Sequence, residues 1–175
     1  MTQTKKETSA PTKSTKRTAS THAFTIERTF KAPPERVWAL WTTKRGLEKW
    51  WGPEGFTSKV HRIDVRVGGT FEIEMTATGA SQVEALRAMG MSLTSVERAT
   101  YKEVVPSKRL SWLTLFDFAP GVKPYDIVQT VELKAVRGGT RLTLTSTPMH
   151  DPQWTRLAKQ GWNESFSKLA RTLEG

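Results

Sequence analysis

Asp151-Pro-Gln-Trp-Thr-Arg-Leu-Ala-Lys-Gln-Gly-Trp-Asn-Glu-Ser-Phe-Ser-Lys-Leu-Ala-Arg-Thr-Leu173 is the stretch whose reading decides the fold. Asp151 suits a helix N-cap, and Pro152 suits the first turn, where a missing N–H costs nothing. Trp154, Leu157, Ala158, Trp162, Phe166, Leu169 and Leu173 then recur at helical spacing along one broad arc. A helix with so wide an apolar face has to lie against another layer.

That layer lies upstream. From Phe56 to Ser146 the apolar period is mostly two, the signature of half-buried strands. Ile63, Val65 and Val67 share one face opposite Asp64 and Arg66. Gly68-Gly69 then turns the chain, and Phe71, Ile73 and Met75 resume the apolar face opposite Glu72 and Glu74. Further strands are expected over Val96–Val105, Leu110–Phe118, Asp126–Val136 and Arg141–Ser146, with Gly138-Gly139 as a hairpin turn. Before this region, Phe24, Ile26, Arg28 and Phe30 alternate with polar neighbours. Ala32-Pro33-Pro34-Glu35 opens a short helix carrying Val37, Leu40 and Trp41, with Trp38 at its edge, and a second holds Leu47, Trp50 and Trp51 until Gly52-Pro53. The order is one strand, two short helices, hairpin strands and one long helix. It specifies an α+β fold, an antiparallel sheet of six to seven strands gripping the C-terminal helix. A strongly curved sheet faced by Trp and Phe leaves an apolar cavity at that contact.

Composition narrows the class. The 175 residues suit one domain. There is no apolar run of the roughly 18 residues a membrane span requires, and no apolar N-terminal signal stretch. The absence of cysteine excludes disulfides, thiolate metal sites and cysteine nucleophiles, and accords with a cytoplasmic location. The net charge of +10 invites a nucleic-acid reading. However, residues 1–21 hold five basic side chains against Glu7 alone, +4 in a Thr/Ser/Lys-rich stretch that reads as a disordered tail ahead of a domain over 22–175. Such a tail gives only salt-sensitive, sequence-blind contact, so no specific nucleic-acid binding is expected.

Five segments recur together in one known order. Arg28-Thr-Phe-Lys-Ala-Pro-Pro-Glu-Arg-Val-Trp38, Trp50-Trp-Gly-Pro53, Asp64-Val-Arg-Val-Gly-Gly69, Gly139-Thr-Arg-Leu-Thr-Leu144 and Gly161-Trp162 resemble the helix-grip SRPBCC superfamily, which includes START domains and the birch-pollen allergen. Within it the chain is most similar, over residues 24–174, to the group named after the C-terminal domain of the heat-shock ATPase activator. The resemblance implies a hydrophobic ligand cavity between sheet and long helix. It implies no single activity, since relatives bind lipids, cyclise, sequester or assist chaperones. No counterpart of the eukaryotic activator's separate N-terminal domain is expected, so ATPase stimulation is not the expected role.

One departure from the family is an insertion, Gly79 to Ser95. Ser81-Gln-Val-Glu84 has the form of a capping box, Val83, Leu86 and Met89 have helical spacing, and Gly90 can end a turn. A short helix over 81–90 is expected. It is either a surface ornament or dimer contact, or a lid offering Leu86, Met89 and Met91 to the pocket mouth.

Strand parity nominates the pocket lining: Phe71, Ile73, Met75, Trp112, Thr114, Phe116, Gln129 and Val131 from the sheet, with Trp162 and Phe166 closing the roof. Thr114 and Gln129 are polar groups on an apolar face and must find partners, from protein or ligand. No cofactor or metal is expected. His22, His61 and His150 lie in no ligand spacing, although His61 shares the parity of Ile63 and faces inward on that basis. No nucleophile elbow or phosphate loop is present. Asp64, Arg66, Glu72 and Glu74 read as cross-strand partners on the wet face. Glu103 would be a buried carboxylate if Tyr101 and Val105 both face inward. The expected function is non-catalytic binding of a small hydrophobic molecule. The alternatives are a cyclase or hydratase using Glu103 with Tyr101 or His61, and a co-chaperone-like interaction module.

Overall fold

In the computed structural model, residues 23–175 are described; the tail reading of residues 1–21 and the position of His22 lie outside them. The chain forms β1 (Phe24–Phe30), α1 (Pro34–Thr42), α2 (Lys44–Trp50), β2 (Phe56–Ile63), β3 (Thr70–Ala77), α3 (Ala80–Ala88), β4 (Thr94–Val105), β5 (Arg109–Phe116), β6 (Tyr125–Val136), β7 (Gly139–Ser146) and α4 (Pro152–Glu174). The seven strands make one sheet in the order β1-β7-β6-β5-β4-β3-β2, every neighbouring pair antiparallel. Consecutive strands therefore pair as hairpins, except that β1 and β2 occupy opposite edges. The two short helices make that crossing, α1 passing β6 and β7 and α2 reaching β2 and α4. The curled sheet, α1, α2 and α4 share one core, the helix-grip arrangement expected.

The start of α4 follows its sequence. The Asp151 carboxylate accepts from the Trp154 N–H at 2.8 Å, and Pro152 occupies the first turn. Phe166, Leu169 and Leu173 are buried, but Leu157 is 48% exposed, so the apolar arc is narrower at the N-terminal half than expected. Trp41, brought inward by α1, meets Trp50, Trp51, Trp112, Trp162 and Phe166 with ring centres 4.6–6.3 Å apart. Offset and edge contacts of this kind are the favoured geometries for aromatic rings.

Two irregularities correct the parity reading. Between Val60 and Arg62 the β2–β3 register shifts, so Val60 is buried while His61 turns outward and pairs with Glu74 at 3.1 Å. The strand ends at Ile63, leaving Val67 64% exposed in the loop rather than on an apolar face. Asp64 and Arg66 pair with each other at 2.8 Å instead of across strands, and Glu72 takes Arg98. A second shift lies between Tyr101 and Glu103. One extra residue flips every later side chain to the other face. Tyr101 is therefore buried while Glu103 faces solvent, paired with Arg109 at 2.8 Å.

The helix of the insertion is present as α3, but Ser81 does not cap it. Gly79 is its N-cap, no side chain caps the turn, and the Ser81 hydroxyl donates to the neighbouring Gln82. Among the described residues no helix is long and apolar enough to cross a membrane.

Candidate functional site

The concave face carries two separate apolar clusters. The larger joins β1, α1, α2, the middle of the sheet and the C-terminal half of α4. The smaller comprises Phe116, Ala119 and Ile127, with Tyr125, Met149 and Trp154 against them. Inside the larger cluster lies a cavity of about 10 Å³, lined by Trp41, Trp51, Phe71, Tyr101 and Trp112 among others. That is room for about one water molecule. Two of its walls are chemically incomplete: the indole nitrogens of Trp41 and Trp112 are buried and have no hydrogen-bond partner among the described residues. A buried donor left unpaired costs about 1–3 kcal/mol.

A polar belt separates the clusters. Glu97 pairs with Ile73 across β3–β4 and shares the inward parity of Ala99 and Tyr101. Its carboxylate accepts from the Thr114 hydroxyl at 3.0 Å and from the Trp51 side chain. The residue keeps partial solvent exposure, yet enough protein surrounds the carboxyl to push its pKa up from 4.5 to about 7, burial outweighing both hydrogen bonds. Tyr101 is held above its ordinary pKa, by burial first and then by the charges of Asp64 and Glu97. Gln129 is buried beside Trp112, its register partner on β5.

The wall supplied by residues 51–56 is tied to α4. Lys168 donates to the Gly52 and Phe56 carbonyls at 3.1 Å each and approaches that of Trp51 at 3.5 Å. Burial lowers its pKa, partly offset by Glu54. Arg171 pairs with Glu54, and the Glu54 N–H donates to Glu164. These contacts fix Trp51 relative to the helix.

Of the residues the sequence nominates, Phe71, Ile73, Trp112, Thr114, Val131 and Phe166 are buried on the concave side, with Gln129 among them. Met75 and Trp162 are half-buried against the main cluster, and Phe116 belongs to the smaller one. Only Phe71, Ile73 and Trp112 of this set line the central cavity; Trp41, Trp51 and Tyr101 complete its aromatic wall. Leu86 on α3 is half-buried, Met89 at its C-cap is exposed and Met91 beyond it is half-buried; the helix buries no residue. Glu103 and His61 are both off the concave face. Glu97 was the missed carboxylate. Counting back by twos from Tyr101 reaches Ala99 and Glu97, whereas counting forward crosses the irregularity that turns Glu103 out.

The family model of the Activator of Hsp90 ATPase homolog 1-like proteins matches residues 31–174. No curated protein matches the chain in sequence. Among solved structures, a crystal structure of a Chromobacterium violaceum protein is 28% identical, with a TM-score of 0.71, covering 87% of this chain and 97% of its own. The AHSA1 protein of Silicibacter pomeroyi is 19% identical with a TM-score of 0.68, covering 87% and 98%. An AHSA1-like protein of Aeromonas hydrophila is 20% identical with a TM-score of 0.65, covering 87% and 92%. The last two speak for the fold alone. With the family model spanning both the grip and the site, the chain belongs to the Activator of Hsp90 ATPase homolog 1-like family of the SRPBCC superfamily.

Proposed function

We propose that this protein binds a small apolar molecule between the concave face of the sheet and α4, and releases it unchanged. The observation that carries the reading is the pair of buried, unpartnered indole N–H groups, Trp41 and Trp112, in the walls of one aromatic cavity. A site with apolar walls and a few unsatisfied polar groups is what a small ligand completes. The ligand-free space holds only about one water, so entry needs a moving wall. The layer free to move is α4, whose Trp162 packs against the wall residues Trp41, Trp51 and Trp112: Ser165, Phe166, Leu169 and Leu173 anchor its C-terminal half, while residues 152–162 include no buried side chain. Outward displacement of that N-terminal half, with Trp162, enlarges the cleft without dismantling the core.

Glu97 favours a second reading, acid–base catalysis on the bound molecule, because a carboxyl near pH 7 can both take and give a proton. This replaces the Glu103–His61 pairing, which the fold separates from the cleft. One experiment separates the two. The full chain is screened against apolar metabolites by thermal shift, and each hit is recovered after overnight incubation for mass analysis. A hit recovered at its original mass supports binding alone, and a hit gaining or losing water establishes turnover. An absence of hits counts against the cleft as a ligand site.

A further inference from the structure

We infer that the molecule held on the concave face carries a positively charged nitrogen on an apolar ring or chain, seated against the Glu97 carboxylate. The inference rests on the ligand-binding reading above and deepens it to a chemical class. Glu97 has no cationic partner: among the described residues every ion pair involves other groups. The groups that reach it are neutral donors, the Thr114 hydroxyl from β5 and the Trp51 side chain from the loop after α2, while Tyr101 lies on its own strand. One carboxylate oxygen receives the Thr114 bond, which leaves acceptor capacity on the second.

The alternatives fit worse. A neutral apolar occupant would finish burying the carboxyl and hold it protonated, so it would draw no binding energy from the charge. An anionic occupant would be repelled by Glu97. A cation is favoured by the carboxylate, and Trp51, which donates to it and also lines the aromatic cavity, gives the occupant's apolar part a wall. The chain's net +10 does not oppose this. Exposed charges more than about 8 Å away are largely screened at physiological salt, whereas a partly buried pair is not.

The test is calorimetry on the full chain with three naphthalenes of nearly equal size: 2-naphthylmethylamine, 2-naphthalenemethanol and 2-naphthoate. Wild type and Glu97→Gln are compared at pH 7, the substitution keeping side-chain shape and the bond from Thr114. The amine is expected to bind wild type at least tenfold more tightly than the alcohol, with naphthoate weakest, and Glu97→Gln to shrink the amine's advantage to twofold or less. Amine binding should also release a fraction of a proton to the buffer, read as heat that varies with buffer ionisation enthalpy. That signal should vanish in Glu97→Gln. An alcohol as tight as the amine, or a preference surviving in Glu97→Gln, overturns the cation inference while leaving apolar binding intact. Failure of all three to bind at millimolar concentration overturns both.

Discussion

The Thr114 hydroxyl donates a 3.0 Å hydrogen bond to Glu97 across the β4–β5 strand pair, on the concave side of the sheet. This bond opposes the effect of burial on the carboxyl. The pair sits where the two apolar clusters fail to meet, so the belt it forms interrupts an otherwise continuous core.

The first expected outcome concerns pH. The Glu97 pKa rises from 4.5 to about 7 on folding, so the folded chain holds this proton more tightly than the unfolded chain. The stability it contributes is fully present below pH 4.5 and is lost as pH rises through 7, about 3 kcal/mol in all. Urea denaturation between pH 5 and pH 8 should show this decline in wild type. In Glu97→Gln the Glu97 contribution to the slope is absent, and the variant should gain on wild type as pH rises. Parallel curves for the two proteins would contradict the burial of Glu97.

Lys168 offers a second test. Its ammonium serves carbonyls of the segment carrying Trp51, and removing it leaves those acceptors unsatisfied. Lys168→Met should cost about 2 kcal/mol in urea denaturation. Hydrogen exchange should accelerate in residues 51–56 more than in β6 or β7. A loss spread evenly over the molecule would contradict a local tie.

The hairpin joining β6 and β7 gives a third. A Cβ on Gly139 would overlap the Phe30 carbonyl oxygen at the end of β1, a backbone neighbour that cannot swing away. Gly139→Ala should therefore lower stability by about 2 kcal/mol, measured as a drop in the denaturation midpoint. Gly138→Ala meets no atom on that criterion, and its cost comes only from its positive φ of 84°.

The insertion is a fourth. The Ala77 N–H already donates to the Leu93 carbonyl at 2.8 Å, so an Asn-Gly turn can replace residues 78–92. α3 buries no side chain, so the main loss is the pair of bonds that the Thr78 and Gly79 N–H groups donate to the Gly55 carbonyl, and stability should fall by about 1–2 kcal/mol. If α3 acts as a lid, dissociation of a bound naphthalene accelerates several-fold in stopped-flow fluorescence. Unchanged rates assign the helix to the surface.

The fold was legible because its signals were long and redundant. The α4 arc, the Asp151 cap and seven strand segments agreed with one another. The site was less legible because parity is a counting argument, and one extra residue defeats it. Near His61 and between Tyr101 and Glu103 the register shifts, so polar residues assigned inward by counting lie outside. No local residue pattern announces either shift. Glu97 lay on the unbroken side of the second one and was reachable by the same counting. The tight cavity was not legible at all, because volume depends on how four indoles interlock around Trp41, which spacing does not encode.

The most direct test of the ligand site follows the indole N–H signals in ¹H–¹⁵N spectra while 2-naphthalenemethanol is titrated into the full chain. If the cleft between sheet and α4 is the site, the Trp41 and Trp112 resonances shift together along one saturable, single-site isotherm. Shifts confined to Trp154, or absent throughout, would contradict it.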